Sequence, residues 1–328
     1  MTTLTSAFTA PEVLARSRDL VRPALREAVG RMHPWMAEMA AYSFGWCEIG
    51  GDPAAGSGGK GVRLALAVLG AEAAGAPGRA GVPAAVAVEL VHAFSLLHDD
   101  IMDGDPARRG RPTVWKAYGT GPAVLAGDAL FALAVESLAD AGPGALRALS
   151  AALADLVRGQ ADDLLFATRP WAGPERVRPD EYRVMAEHKT GALLGCAAAL
   201  GALLGGAPAA TVATLDRAGR QLGIAFQIVD DVLGIWGDPL VTGKPVHGDL
   251  RERKKTFPVL AALDSPTPAA ARLARLLEAD GDPEEIAHLV EGCGGRTAAL
   301  AEARRHSASV AAVPELRPLL DHLLRREL

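Results

Sequence analysis

Long Ala/Leu-rich stretches at helical spacing occupy most of this chain, over 62–75, 84–103, 122–139, 144–168, 180–205 and 211–236. Apolar residues recurring every three to four positions line one stripe of a helix, whereas a half-buried strand requires strict alternation. Short Gly/Pro breaks such as GAPG, GPG and GGAP separate the stretches and turn the chain within a few residues. Alternating β-branched runs are scarce. The pattern therefore confines the chain to an all-α bundle, in which sites are built from side chains on facing helices. Near the C-terminus, DPEEIAHLVEG reads as a helix capped by Asp282, with Pro283 at its first position and Gly292 closing it, and further helices are expected at 296–311 and 315–326. We expect a short N-terminal tail over 1–20 and one helical domain over 21–328.

With 328 residues, 49% hydrophobic and 22% charged, the chain has ample material for a core, and disorder is disfavoured. Its net charge of −5 provides no global basic field for nucleic acid or an anionic membrane, so any anion binding must be local. Cys47, Cys196 and Cys293 lie far apart with no CxxC pair, which signals neither a zinc site nor a disulfide framework and fits a reducing cytoplasm. The N-terminus has neither the basic nor the apolar segment of a signal peptide. One segment, 191–215, carries no formal charge and imitates a membrane span. It is mostly Ala and Gly, contains Pro208 and lacks aromatic flanks, so a closely packed buried helix is the better reading, and no transmembrane segment is expected.

Two junctions carry opposite charge directly after apolar helix. In SLLHDDIMDGDPARRGRPTVW, residues 95–115, Asp99 and Asp103 are four apart, so on a helix their carboxylates share one face. Bare carboxylates at about 6 Å repel. A hard cation between them removes the repulsion, and Mg2+ favours one or two carboxylates completed by phosphate oxygens and water. Arg108, Arg109 and Arg111 follow at once, and guanidinium forks bind phosphate bidentately. The second junction, FQIVDDVLGIWGD at 226–238, repeats the logic with Asp230 and Asp231, and Lys244, Lys254 and Lys255 stand beyond it. Carboxylates and cations at the mouth of an apolar pocket suit an amphipathic ligand with a diphosphate head and a hydrocarbon tail.

These two junctions resemble the paired aspartate-rich motifs of the trans-isoprenyl diphosphate synthases, the polyprenyl synthetase family, most closely its short-chain geranylgeranyl diphosphate synthases. Lesser signatures follow in the family's order: GGKGVR at 58–63, ELVHAFSLLHDD at 89–100, GDAL at 127–130, GQADDL at 159–164 and HKTGAL at 188–193. The resemblance implies a single-domain isoprenoid-synthase-type helical bundle around a central cavity. It implies three Mg2+ ions held by Asp99, Asp103 and Asp230, with Asp100 and Asp231 supporting them. Arg108, Lys189, Lys244 and Lys254 would hold an allylic diphosphate, and Lys60, Arg63, His92 and Arg109 would hold isopentenyl diphosphate. Gln160, Asp163, Thr190 and Gln227 would line the reacting centre. The implied chemistry is ionisation of the allylic diphosphate, attack by the isopentenyl double bond and loss of a proton. A homodimer is implied as well.

Product length would be set by the apolar wall one turn before Asp99. At about 1.5 Å per residue, Phe94 lies roughly 7 Å deeper than the metal ligands. Phe94 beside small Ser95 is similar to the pattern of C20 synthases, whereas two adjacent aromatics would favour C15. Two positions depart from the family. Gly234 stands where a third aspartate is usual, with Asp238 a conceivable substitute, and Gly61 and Leu64 replace a common arginine and proline. These departures keep open a catalytically impaired partner subunit as the rival to an active enzyme. A terpene cyclase is disfavoured, because a DD-and-lysine motif occupies the place of a late Asn/Ser/Glu triad. His98 and Asp162 read as ordinary polar helix residues, Trp115, Trp171 and Trp236 as packing, and Arg251, Arg253 and Lys255 as surface charge.

Overall fold

The structure, a computed structural model, describes residues 9–54, 61–239, 246–310, 313–317 and 319–320. It is 77% helical, which makes the fold all-α. In chain order the first ten helices are α1 (Ala10–Gly30), α2 (Pro34–Ser43), α3 (Val62–Ala73), α4 (Val82–Met102), α5 (Val114–Tyr118), α6 (Thr120–Glu136), α7 (Pro143–Thr168), α8 (Pro179–Ala186), α9 (Ala192–Leu204) and α10 (Ala209–Trp236). Shorter helices follow at Gly248–Arg251, Phe257–Leu263, Pro268–Glu278, Pro283–Gly292 and Gly295–Val310. Among the described residues the chain packs as two compact units, one drawn from Met1–Ala151, Cys196–Arg217 and Glu315–Asp321, the other from Ala152–Gly195 and Ala218–Pro314.

In the first unit α4 packs against α3 and α6, and α1 lies on α3 and α4. From Ala84 to Val91, α4 is buried nearly all round, as a helix at the centre of a core must be. The boundary expected at residue 20 falls inside α1. Its start is fixed by the Thr9 backbone N–H, which donates to the Glu12 carboxylate at 2.7 Å, and by Pro11 in the first turn. Val13, Leu14, Val21 and Leu25 then form its buried stripe. Residues 191–215 are not one helix: α9 ends at Leu204, and α10 begins at Ala209. The Gly/Ala composition serves close packing of α9 on α3, because a Cβ on Gly201 would stand 2.0 Å from the Ala67 carbonyl oxygen. Among the described residues, the stretches that length and composition alone would allow to span a membrane are instead Gly78–Met102 and Thr120–Ala141. The first is 56% buried and ends in the acidic run.

The arginine segment, whose sequence suggested a cluster of phosphate-binding forks, is a small hairpin that pairs Ala107–Arg108 with Arg111–Pro112. Arg109 and Gly110 form its tip with φ of 54° and 74°, the left-handed pair that a two-residue hairpin turn requires. The second unit gathers its core around Trp171, Ile235, Leu250, Val259, Leu273 and Val290. Its helix Pro283–Gly292 starts as expected, with the Asp282 carboxylate accepting the Glu285 backbone N–H at 3.0 Å.

Candidate active site

In the first unit the end of α4 sets the charges. The Asp103 backbone N–H bonds the Asp99 carbonyl at 2.8 Å, so the helical register holds through the motif and the two carboxylates share a face. Asp99 is half-buried and Asp103 exposed. Asp100 points into the protein instead, where its Oδ1 accepts from Nε and from the terminal nitrogen of Arg108 at 2.7 and 2.6 Å. Burial raises the Asp100 carboxyl above its usual range, and Arg108 offsets only part of the shift. Asp100 therefore orients Arg108.

Arg111 does not join that cluster as the sequence suggested. Its guanidinium donates to the Cys47 carbonyl at 2.7 Å and to Glu48 at 2.9 Å, and it lies 4.2 Å over the Tyr42 ring. The Tyr42 hydroxyl in turn donates to the Pro112 carbonyl at 2.7 Å. One strand of the hairpin is thus tied to α4 and the other to α2 and the loop after it, which fixes the tip that carries Arg109.

His92 sits among Arg63, Arg109 and Arg108. Burial first, and then these cations, push its pKa well below the ordinary range, so the imidazole is neutral. Glu89, three residues earlier on α4, is raised by burial against the pull of Arg63 and Arg109. It balances the same arginines and was missed in the sequence, where only its three-residue spacing from His92 signalled a shared face. Gly61 begins α3 at φ 73°, a conformation that disfavours the arginine common there. Lys60 and Lys244 lie outside the described residues.

In the second unit a π-helical turn, Glu187–Gly191, interrupts the helix between α8 and α9. A Cβ on Gly159 of α7 would stand 2.2 Å from the Lys189 nitrogen, and one on Gly223 of α10 would stand 2.4 Å from the Gly191 Cα. The turn is wedged between two glycine notches, and one helical turn beyond each notch is a polar partner. The Lys189 ammonium donates to Asp163 on α7 at 2.6 Å, and the Thr190 hydroxyl donates to the Gln227 side-chain oxygen on α10 at 2.8 Å. A π-turn adds one residue to the helix and re-aims neighbouring side chains, which is why such turns concentrate at functional sites. Gln160, next to Gly159, is buried with neither amide atom bonded to protein, so its hydrogen-bonding capacity is left for a ligand or water.

At the end of α10, Asp230 is half-buried and Asp231 buried. Asp231 accepts from the Tyr182 hydroxyl, from the Phe257 backbone N–H at 2.8 Å and from the Gln227 amide at 3.3 Å. Burial and the neighbouring Asp249 outweigh these donors and raise Asp231 to about 7. Gly234 has a direct spatial explanation: a Cβ there would stand 1.9 Å from Oδ2 of Asp249. The place of a side chain at 234 is taken by a buried carboxylate from the short helix Gly248–Arg251, whereas Asp238 is exposed. Neither Asp249 nor Tyr182 was singled out from sequence. Asp249 lay in the GDL string before the lysines, and nothing in the sequence pointed to Tyr182.

Lys254 pairs with Glu252 at 2.8 Å. Lys255 is buried rather than a surface charge, its ammonium 3.4 Å above the Trp171 ring. Burial holds its pKa down at about 8, against the opposing pull of Glu278. Among the described residues no three His, Cys, Asp or Glu side chains form a ready metal cage. The aspartate oxygens are hard donors, and so few from protein fit an ion that completes its shell with phosphate oxygens and water.

A family model described as polyprenyl synthetase matches residues 51–292. A (2E,6E)-farnesyl diphosphate synthase of Mycobacterium tuberculosis is 46% identical over 306 residues, covering 90% of this chain and 84% of that protein. A geranylgeranyl diphosphate synthase of the same organism is 46% identical over 314 residues, covering 92% and 88%. The crystal structure of a polyprenyl synthetase from Streptomyces coelicolor A3(2) superposes with a TM-score of 0.84 at 47% identity, covering 96% of each chain. The chain belongs to the polyprenyl synthetase family, and it is a prenyltransferase with that family's all-α fold.

Proposed function

We propose that this prenyltransferase condenses isopentenyl diphosphate head to tail with an allylic diphosphate, depends on Mg2+, and releases a short trans-prenyl diphosphate, principally the C20 geranylgeranyl product. The observation that carries the reading is the end of α4, where a one-face carboxylate pair is followed by a braced hairpin that presents Arg108 and Arg109. Asp99, Asp103 and Asp230 would hold Mg2+, which would supply positive charge to the departing diphosphate. Arg108 and Lys189, with Lys244 and Lys254, bind the allylic diphosphate. Arg63, Arg109 and neutral His92, with Lys60, orient isopentenyl diphosphate. As the allylic carbon–oxygen bond breaks, Thr190, Gln227, Gln160 and Asp163 face the developing cation, the isopentenyl double bond attacks it, and the new chain loses its proton to the released diphosphate. The catalysis is electrostatic and preorganised, and no dedicated protein base is required.

The C20 assignment rests on Phe94 as a single aromatic beside Ser95. C15 is the second reading, because relatives of equal identity carry both names. The impaired-subunit reading loses support at Gly234, since Asp249 keeps a carboxylate at that point. Val124, Leu125, Phe131 and Val135 form an exposed apolar stripe on α6, which supports a homodimer. Cys47, Cys196 and Cys293 form no disulfide among the described residues, which fits a cytoplasmic location.

The test is incubation of purified protein with Mg2+, isopentenyl diphosphate and each of dimethylallyl, geranyl and farnesyl diphosphate, followed by mass spectrometry of the dephosphorylated alcohols. A dominant C20 alcohol, abolished by chelation, is expected. A C15 product would move the chain-length assignment, and no product from any starter would overturn the catalytic reading.

A further inference from the structure

Phe94 does not stand alone on α4. Its ring meets the His98 ring edge-on, with centroids 5.0 Å apart, and the Phe131 ring of α6 at 5.7 Å. His98, set aside from sequence as an ordinary polar residue, is held from behind. Its Nε2 lies 3.2 Å from the Val124 carbonyl of α6, and its ring fills the space over Gly127, where a Cβ would stand 2.3 Å from Nε2. An aromatic side chain has few rotamers, and contacts on two sides select one of them. Phe94 is contacted along its own helix by His98 and across the α4/α6 packing by Phe131.

We propose that His98 and Phe131 are positioning residues for product length: they fix the Phe94 ring in the orientation that stops the hydrocarbon tail, and Gly127 leaves the room for His98 to do so. The proposal rests on the assignment of Phe94 as the chain-length residue. Sequence reasoning places specificity in Phe94 and its neighbour Ser95, but the Ser95 hydroxyl only returns to the His92 carbonyl at 3.0 Å. The rings that touch Phe94 come instead from one helical turn later and from another helix. Phe94 with a free ring could swing aside for a longer tail, whereas Phe94 between two rings must displace both.

The experiment reads the ratio of C25 to C20 alcohols from farnesyl and isopentenyl diphosphates for Phe94→Ala, Phe131→Ala, His98→Ala and the doubles with Phe94→Ala, on material that sediments as the wild type does. Phe131→Ala and His98→Ala should each raise the ratio about fivefold, the scale set by one aromatic pair contact. Neither should add to the rise in the Phe94→Ala background, because both act through that ring. A lengthened product from Phe94→Ala with unchanged ratios in the other two single variants would overturn the proposal. Fully additive effects in the doubles would overturn it as well, since loss of bulk alone predicts them. An unchanged ratio in Phe94→Ala itself would instead sink the chain-length assignment beneath it. Gly127→Ala, buried beneath His98, provides a further arm away from the exposed α6 stripe: it must shift the His98 ring and with it the ratio.

Discussion

At the end of α4 the buried member of the Asp-Asp pair, Asp100, is matched by a cation, Arg108, which the hairpin carries back to it. At the end of α10 the buried member, Asp231, receives a phenol, an amide and a backbone N–H, and the charge beside it is another carboxylate, Asp249. The two ends share a sequence pattern and differ in electrostatics. The first is balanced by its own residues and leaves Asp99 and Asp103 to face outward from the motif. At the second, burial and Asp249 raise the buried carboxyl to about 7, and the proton it then retains limits the cost of charge inside the protein.

The most direct way to break the comparison is to remove the outward carboxylate from each end. Asp99→Ala and Asp230→Ala should each lower turnover about 1000-fold, the order expected when a group that stabilises transition-state charge is lost. Thermal stability should stay near wild type, because neither residue is fully buried. A near-normal rate in one variant alone would mean that the two ends do not serve one reaction.

A second test concerns Gly234. Restoring the family's aspartate would repair a damaged motif if the glycine were a loss. The geometry predicts the reverse, because the new Cβ would meet the Asp249 carboxylate at 1.9 Å and set another acid beside Asp249 and Asp231. Gly234→Asp should destabilise the protein by about 3 kcal/mol, from overpacking and from like charge. Its turnover should fall, and adding Asp249→Gly should recover part of the stability. A more active Gly234→Asp enzyme would revive the impaired-subunit reading.

These contrasts show what was legible in the sequence. Helix order could be read because apolar periodicity and Gly/Pro breaks are local signals, and Asp282 and Pro283 marked a helix start correctly. The one-face geometry of Asp99 and Asp103 follows from spacing alone. Long-range and loop-borne features were not legible. Arg108 and Arg111 are three apart in one basic run, yet one bonds Asp100 and the other the carbonyl of Cys47, a difference set by their places on the two strands of a hairpin that the run does not announce. The π-turn is invisible in HKTGAL because it depends on Gly159 and Gly223 from two other helices. Lys255 looked like surface charge until Trp171, more than eighty residues earlier, was found beneath it.

The smallest expected effect separates the two buried acids, measured as thermal stability in the presence of a chelator. Asp100→Asn leaves Arg108 without its counter-ion and should cost about 2 kcal/mol, the scale of a charge-assisted bidentate contact. Asp231→Asn keeps a carbonyl oxygen for Tyr182 and Phe257 and removes a charge that burial and Asp249 already disfavour, so it should cost under about 1 kcal/mol. The pH dependence carries the sign. Asp231 titrates near 7 in the folded chain against an ordinary value of 3.8, so the native state binds more protons than the unfolded state across that interval. The share of wild-type stability that Asp231 contributes should therefore fall as pH rises from about 4 to 7 and level off above it, and Asp231→Asn should lose that share of the slope. Asp100→Asn should keep the share of the slope that Asp231 contributes. Equal losses from the two substitutions at pH 8 would mean that an unseen cation balances Asp231 as Arg108 balances Asp100, and the distinction between the two helix ends would fail.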